Sequence, residues 1–162
     1  MEALIAELAA TPSRLAHLVA ELDDTALDAA EPGQWSPRII LAHLRDDEFL
    51  CMRAALERIL AEDRPELRFI EGEDWAPRRN RARDRKEWLL ADFALQRQAS
   101  LGILRMLEPR DLARVGLRNG EEVSIERLVR AWVRHTSEHL AELERLIGES
   151  AEDAKARRAR WQ

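Results

Sequence analysis

Apolar residues recur at intervals of three and four along most of this chain. That period lays an apolar stripe along one side of an α-helix, and a strand, whose side chains alternate, cannot use it. Leu4, Ile5 and Leu8, followed by Leu15, Leu18, Val19 and Leu22, mark the first such segment. Thr11-Pro12 interrupts it, so either Thr11 caps a fresh helix with Pro12 in its first turn, or one helix kinks there. The stretch DDTALDAAEPGQW, 23–35, reads as a loop with a Pro-Gly turn. Ser36-Pro37 then gives a cap and a proline at the first helical position. From there Ile39, Ile40, Leu44, Leu50, Cys51, Ala54, Ala55 and Ile59 form one stripe to about Glu62. A third helix is expected from about Asp84 to Leu107, through Trp88, Leu89, Phe93, Gln96, Leu101 and Leu104, with Pro109 ending it. Asn119-Gly120 is a tight-turn signal between short stretches that can pair as a hairpin. Ser124 caps the last helix, whose stripe is Leu128, Ala131, Trp132, His135, His139, Leu143 and Leu146; Gly148 is the expected stop.

Four amphipathic helices in a chain of 162 residues predict an all-α protein, a four-helix bundle over residues 1–148 with a basic tail at 149–162. A helix of about 24 residues spans roughly 36 Å. Residues 63–83 contain Pro65, Gly72 and Pro77 and lack a helical period. This connection is long enough to cross the bundle, so simple up-down-up-down order does not follow, and it is expected to lie outside the core. The formal net charge of -5 supplies no overall attraction to nucleic acid, and Arg157, Arg158 and Arg160, with only Trp161 among them, do not change that. The single Cys51 excludes an internal disulfide framework. No stretch reaches the uninterrupted apolar length of a membrane span, and no leader pattern opens the chain. A cytoplasmic protein without a membrane partner is the expectation, and a homodimer is compatible with it.

Two histidines stand on the last apolar stripe. VRHTSEHLAEL places His135 and His139 four residues apart on one helix face. Their side-chain roots are then roughly 5–6 Å apart, within reach of one ion at about 2.0–2.1 Å from each nitrogen. Alone, the spacing is equally well read as a pair of hydrogen-bonded core histidines. His43, in LAHLRDDE, falls on the buried stripe of the second helix between Ile39/Ile40 and Leu50. Three imidazoles turned inward without partners would each cost about 1–3 kcal/mol. A shared divalent metal removes that cost and leaves an open position for water.

GQWSPRIILAHLRDDE and SIERLVRAWVRHTSEHLAEL resemble the entry to the second helix and the final helix of the DinB-like superfamily. EDWAPRRN and NGEEVS sit where members carry similar loops, so the likeness covers about residues 2 to 147. It implies a four-helix bundle holding a divalent metal through three histidines, which carry over onto His43, His135 and His139. It also implies thiol S-transferase or isomerase relatives that use a low-molecular-weight thiol, beside members without an established activity.

The remaining candidates have competing readings. Asp47, four residues from His43, is a fourth ligand, a proton acceptor or part of a solvated face; Asp46 reads as the solvated face. Glu138 is a general base or, by preference, half of a surface ion pair with Arg134 or Arg145. His17 reads as structural or exposed, Cys51 as packing, and Trp35 as a hydrophobic staple before Ser36. Trp75 and Trp88 wall a pocket or, by default, pack in the core. Arg78, Arg79, Arg81, Arg83 and Arg85 form a solvated run or an anion site. The functional expectation is a metal-dependent enzyme of thiol S-transferase or hydrolase type acting on a small molecule, with zinc or nickel as the metal. The competing class is a non-catalytic, stress-associated metal-binding bundle. A cleft opening onto the histidines separates the two.

Overall fold

The computed structural model describes residues 1–69 and 84–159, with side chains described as far as 148. Helix α1 (Glu2–Leu18) runs through Pro12 without a break. Proline lacks the N–H that would bond the carbonyl of Leu8 one turn back. That carbonyl instead accepts from Arg97 Nη1 at 2.9 Å. The loop read at 23–35 contains a short helix, α2 (Asp24–Asp28), because the Asp23 carboxylate accepts from Ala26 N at 2.8 Å and caps it.

The second rod is composite. It joins α3 (Pro37–Asp47), a π-helical turn (Glu48–Arg53) and α4 (Ala54–Ala61), with helical backbone at both junctions. Ser36 caps it as expected, accepting from Ile39 N. Helix α5 (Lys86–Arg105) is the third rod, starting beside the end of α1, where Lys86 Nζ donates to the carbonyls of Val19, Ala20 and Leu22. Strands β1 (Val115–Arg118) and β2 (Glu121–Ser124) pair antiparallel around Asn119-Gly120, both with positive φ, at 54° and 81°. That is the backbone a two-residue hairpin requires. Ser124 then caps α6 (Ile125–Ala159), accepting from Arg127 N at 3.2 Å. The last helix passes Gly148, the expected stop, without a positive φ there. A glycine inside a helix costs about 1 kcal/mol, too little to end one that continues with good helix formers.

Cross-helix contacts give the directions. Leu8 meets Arg97 while Val19 meets Lys86, so α1 and α5 are antiparallel. Glu7 meets Ser137 and Arg14 meets Glu144, so α1 and α6 are parallel. Arg38 reaches the Asp84 carbonyl while Arg53 reaches that of Gln96, so the second and third rods run the same way. The order is up-down-down-up, which calls for a crossover connection between the second and third rods. Its first part is not outside the core, as expected, but in it. Leu67 N donates to the Leu117 carbonyl and Leu117 N to that of Pro65, and Leu67 is buried among Leu56, Ile59 and Val129. A Cβ at Gly116 would lie 2.8 Å from Leu67 Cδ2, so the close approach depends on glycine there.

The apolar interior forms two clusters. One gathers Leu8, Met52, Leu56, Leu101, Leu104 and Trp132, and the other Leu15, Val19, Ile40, Leu44, Phe93 and Leu140. Between them each rod contributes a buried polar residue: Thr11, Glu48, Arg97 and Thr136. Arg97 Nη2 lies 2.9 Å from Glu48 Oε2, with both side chains 1% exposed, and Trp132 Nε1 donates to the same oxygen at 3.0 Å. Substituting Arg97→Met strands the Glu48 charge and removes the donor to Leu8. It should cost about 3–5 kcal/mol, read as a lower urea midpoint. The double variant Arg97→Met/Glu48→Gln should recover a clear part of that loss, and a double variant less stable than Arg97→Met would contradict the pairing.

Candidate metal centre

α3 and α6 run antiparallel, and this sets His43 against His135 and His139. The three present ligand atoms that all lie within 4.8 Å of one another. His43 Nε2 and His135 Nε2 are 3.0 Å apart. The rings meet edge to face, with centroids 4.7–5.0 Å apart. His43 is 6% exposed, and burial, with the neighbouring histidines, pushes its pKa down to about 3. Burial also lowers that of His135, against the pull of Asp47. Both rings are therefore neutral near pH 7, the form that ligates metals.

Carboxylates stand beside two of the rings, and one of them makes a hydrogen bond. His139 Nδ1 is 3.0 Å from Glu142 Oε2, and His135 Nδ1 is 3.5 Å from Asp47 Oδ2. The Glu142 carboxylate accepts from Nδ1–H of His139, which leaves Nε2 of that ring as a bare lone pair. The contact between His43 and His135 uses one N–H and one lone pair, and the lone pair of His139 is left over. A cation satisfies all three nitrogens, so the donor set fits a divalent metal.

Asp47 is half-buried, and its partial removal from solvent raises the pKa of its carboxyl. It stands 3.5 Å from His135 Nδ1, accepts a hydrogen bond from the Cys51 thiol, and is not one of the clustered ligand atoms. Cys51 is buried, as its stripe position suggested. Glu138 is on the surface, 3.7 Å from Arg134, so the preferred ion-pair reading holds. Asp46, read as solvated, is buried instead and pairs with Arg45 at 2.8 Å, which in turn reaches Asp84 at 3.2 Å. A buried arginine requires that company. His17 is exposed. Trp88 is 57% exposed with Arg85 over its ring, so it neither walls the histidine site nor packs in the core. Arg85 lines a separate cleft with Asp24 and Arg38. Trp75, Arg78, Arg79, Arg81 and Arg83 lie outside the described residues.

Two openings reach the histidines. A cleft of about 600 Å³ is lined by His43, Asp47 and His135 on one side and by Arg118, Asn119 and Glu121 of the hairpin on the other. A smaller one of about 360 Å³ lies against Trp35, His139 and Glu142. Sequence reasoning missed Glu142, though its position three residues after His139 on one helix was a usable signal. It also gave Trp35 too small a role: the ring stacks on His139 at 5.8 Å and meets His43 edge-on at 4.9 Å.

The DinB superfamily model matches residues 7–143. The chain belongs to the DinB superfamily. Among solved structures it is similar to YfiT from Bacillus subtilis, described as a probable metal-dependent hydrolase with an unusual four-helix bundle topology. The TM-score is 0.86 at 21% identity, over 93% of this chain and 87% of that one. The DinB-like bundle is thus shared, at an identity that speaks for the fold. No curated protein matches the chain. Among the described residues, no helix of this DinB-superfamily chain is long and apolar enough to cross a membrane.

Two outcomes follow from this geometry. The unfolded chain protonates His43 near its ordinary pKa of 6.5, and the fold resists this down to about 3. Stability of the metal-free protein should therefore be full above pH 6.5 and fall as pH drops through that value towards 3. The slope approaches about 1.4 kcal/mol per pH unit for each proton excluded. Urea titrations at several pH values check it, and a flat profile below 6.5 would contradict the buried neutral ring. Separately, Glu142→Gln should weaken zinc affinity by about 10–100-fold, measured by competition with a chelator.

Proposed function

We propose that this protein is a metal-dependent hydrolase of small molecules, with His43, His135 and His139 as the ligands of a divalent ion, zinc or nickel by preference. The observation that carries the reading is the cleft of about 600 Å³ meeting His43 and His135 from outside. Pockets of roughly 300–1,000 Å³ are the size that takes small ligands. A sealed, apolar surround would instead have favoured a structural ion. The description of YfiT as a probable metal-dependent hydrolase supports the same choice.

When bound by three neutral ligands, the metal lowers the pKa of a coordinated water towards about 7 and polarises the group to be attacked. This chain's own residues supply the rest. Glu142 fixes the ring orientation of His139. Asp47, on the cleft wall, is the proton acceptor for the attacking water, since a carboxyl pKa raised by burial moves towards the working pH of a base. Glu138, paired with Arg134 at the surface, is a rim residue and not the base. A low-molecular-weight thiol in place of water would make the same site a thiol transferase.

Zinc-loaded protein offered small esters, amides and thioesters, with and without a low-molecular-weight thiol, tests this. Hydrolysis should proceed without thiol. Asp47→Asn should lower kcat by about 100-fold or more with zinc retained, and Glu138→Gln should stay near wild type. Turnover only with thiol would overturn the hydrolase reading in favour of transfer, and an active Asp47→Asn variant would remove the base assignment.

A further inference from the structure

Three arginines line the cleft that meets the histidines: Arg118, Arg127 and Arg134. Two are engaged by the protein itself. Arg134 Nε is 3.7 Å from Glu138, and Arg127 Nη1 donates to the Glu122 carbonyl at 3.3 Å. Arg118 differs. Among the described residues its guanidinium meets the ring of Phe69, 4.4 Å from centroid to Cζ, and has no carboxylate or carbonyl partner. Stacking uses the guanidinium face and leaves its N–H edges to donate elsewhere.

The position is fixed by the fold. Arg118 is the last residue of β1, directly before the Asn119-Gly120 turn, and its cross-strand partner is Glu121. The next residue back, Leu117, is pinned by hydrogen bonds to Leu67 and Pro65. A cation with free donors is thus held on the wall opposite His43 and His135. Its charge acts on Asp47 across the cleft.

We propose that Arg118 is the specificity-determining residue of this cleft, and that the molecule processed there is small and carries a carboxylate, bound by the Arg118 guanidinium while its reacting group lies against the histidines. The inference rests on the open metal centre proposed above. A carboxylate suits one guanidinium, whose fork matches its two oxygens. A phosphate dianion calls for more positive charge than one free arginine, and Glu121 and Glu138, which also line the cleft, oppose it.

The test compares two metal-binding probes on cobalt-loaded protein, followed by the visible spectrum: acetohydroxamate, with a neutral tail, and succinic monohydroxamate, with a carboxylate tail. Wild type should bind the carboxylate probe about five- to tenfold more tightly, the size of one partly exposed charged hydrogen-bonded pair. Arg118→Gln should lose that preference while keeping its affinity for acetohydroxamate. Arg118→Lys should retain only part of it. Arg130→Gln, which removes an arginine paired with Glu126 outside the cleft, should leave it unchanged. Equal affinities in wild type, or a preference that survives in Arg118→Gln, would overturn the proposal. A spectrum unmoved by either probe would instead show a closed metal and overturn the open-centre reading together with what rests on it.

Discussion

The buried pair between Arg97 and Glu48 ties the four rods together at mid-height. A charged pair that is 1% exposed on both sides needs further hydrogen bonds to offset its desolvation, and it has several, although Arg97 Nε and Glu48 Oε1 meet no partner among the described residues. Arg97 also reaches Leu8, Thr11 and Thr136, and Glu48 takes the Trp132 indole N–H. The guanidinium further lies over the rings of Phe93 and Trp132, at 4.9 and 5.7 Å. One residue thereby fixes the height of α1, the second rod and α6 relative to α5. It also closes the gap that Pro12 opens in α1.

The histidine site depends on that layer. Glu48 opens the π turn and Asp47 is the residue before it, so pinning Glu48 inward sets where Asp47 and, one turn earlier, His43 face. Trp132 and Thr136 flank His135 on α6, and the same pair of contacts sets its height. Departures from regular α-helix of this kind recur at functional sites. Here the wide turn allows adjacent carboxylates to do different work, Glu48 in the core and Asp47 at the cleft.

Much of the bundle was legible from periodicity and punctuation alone. Ser36-Pro37, Asn119-Gly120 and Ser124 act where they stand in the sequence, because caps and two-residue turns are decided by local backbone chemistry. The histidines were legible because an apolar stripe makes a polar ring conspicuous. What stayed hidden was decided by partners distant in the chain. Asp46 looked solvated because its company, Arg45 and Asp84, is assembled by the third rod. Leu67 looked like loop because its hydrogen-bond partner is Leu117. Arg97 sits on the apolar stripe of its helix, and nothing local says that Glu48 will meet it. The short helix α2 was hidden by the Pro-Gly turn that follows its Asp23 cap.

The central claim is that His43, His135 and His139 are the metal's protein ligands and leave room beside them. X-ray absorption at the zinc edge, on protein reconstituted with one equivalent, addresses it most directly. The account predicts a shell of nitrogen and oxygen donors near 2.0–2.1 Å, with the outer scattering of three imidazoles and no sulfur. A sulfur shell near 2.3 Å, which would bring Cys51 into the coordination sphere, or an imidazole count below three, would contradict it.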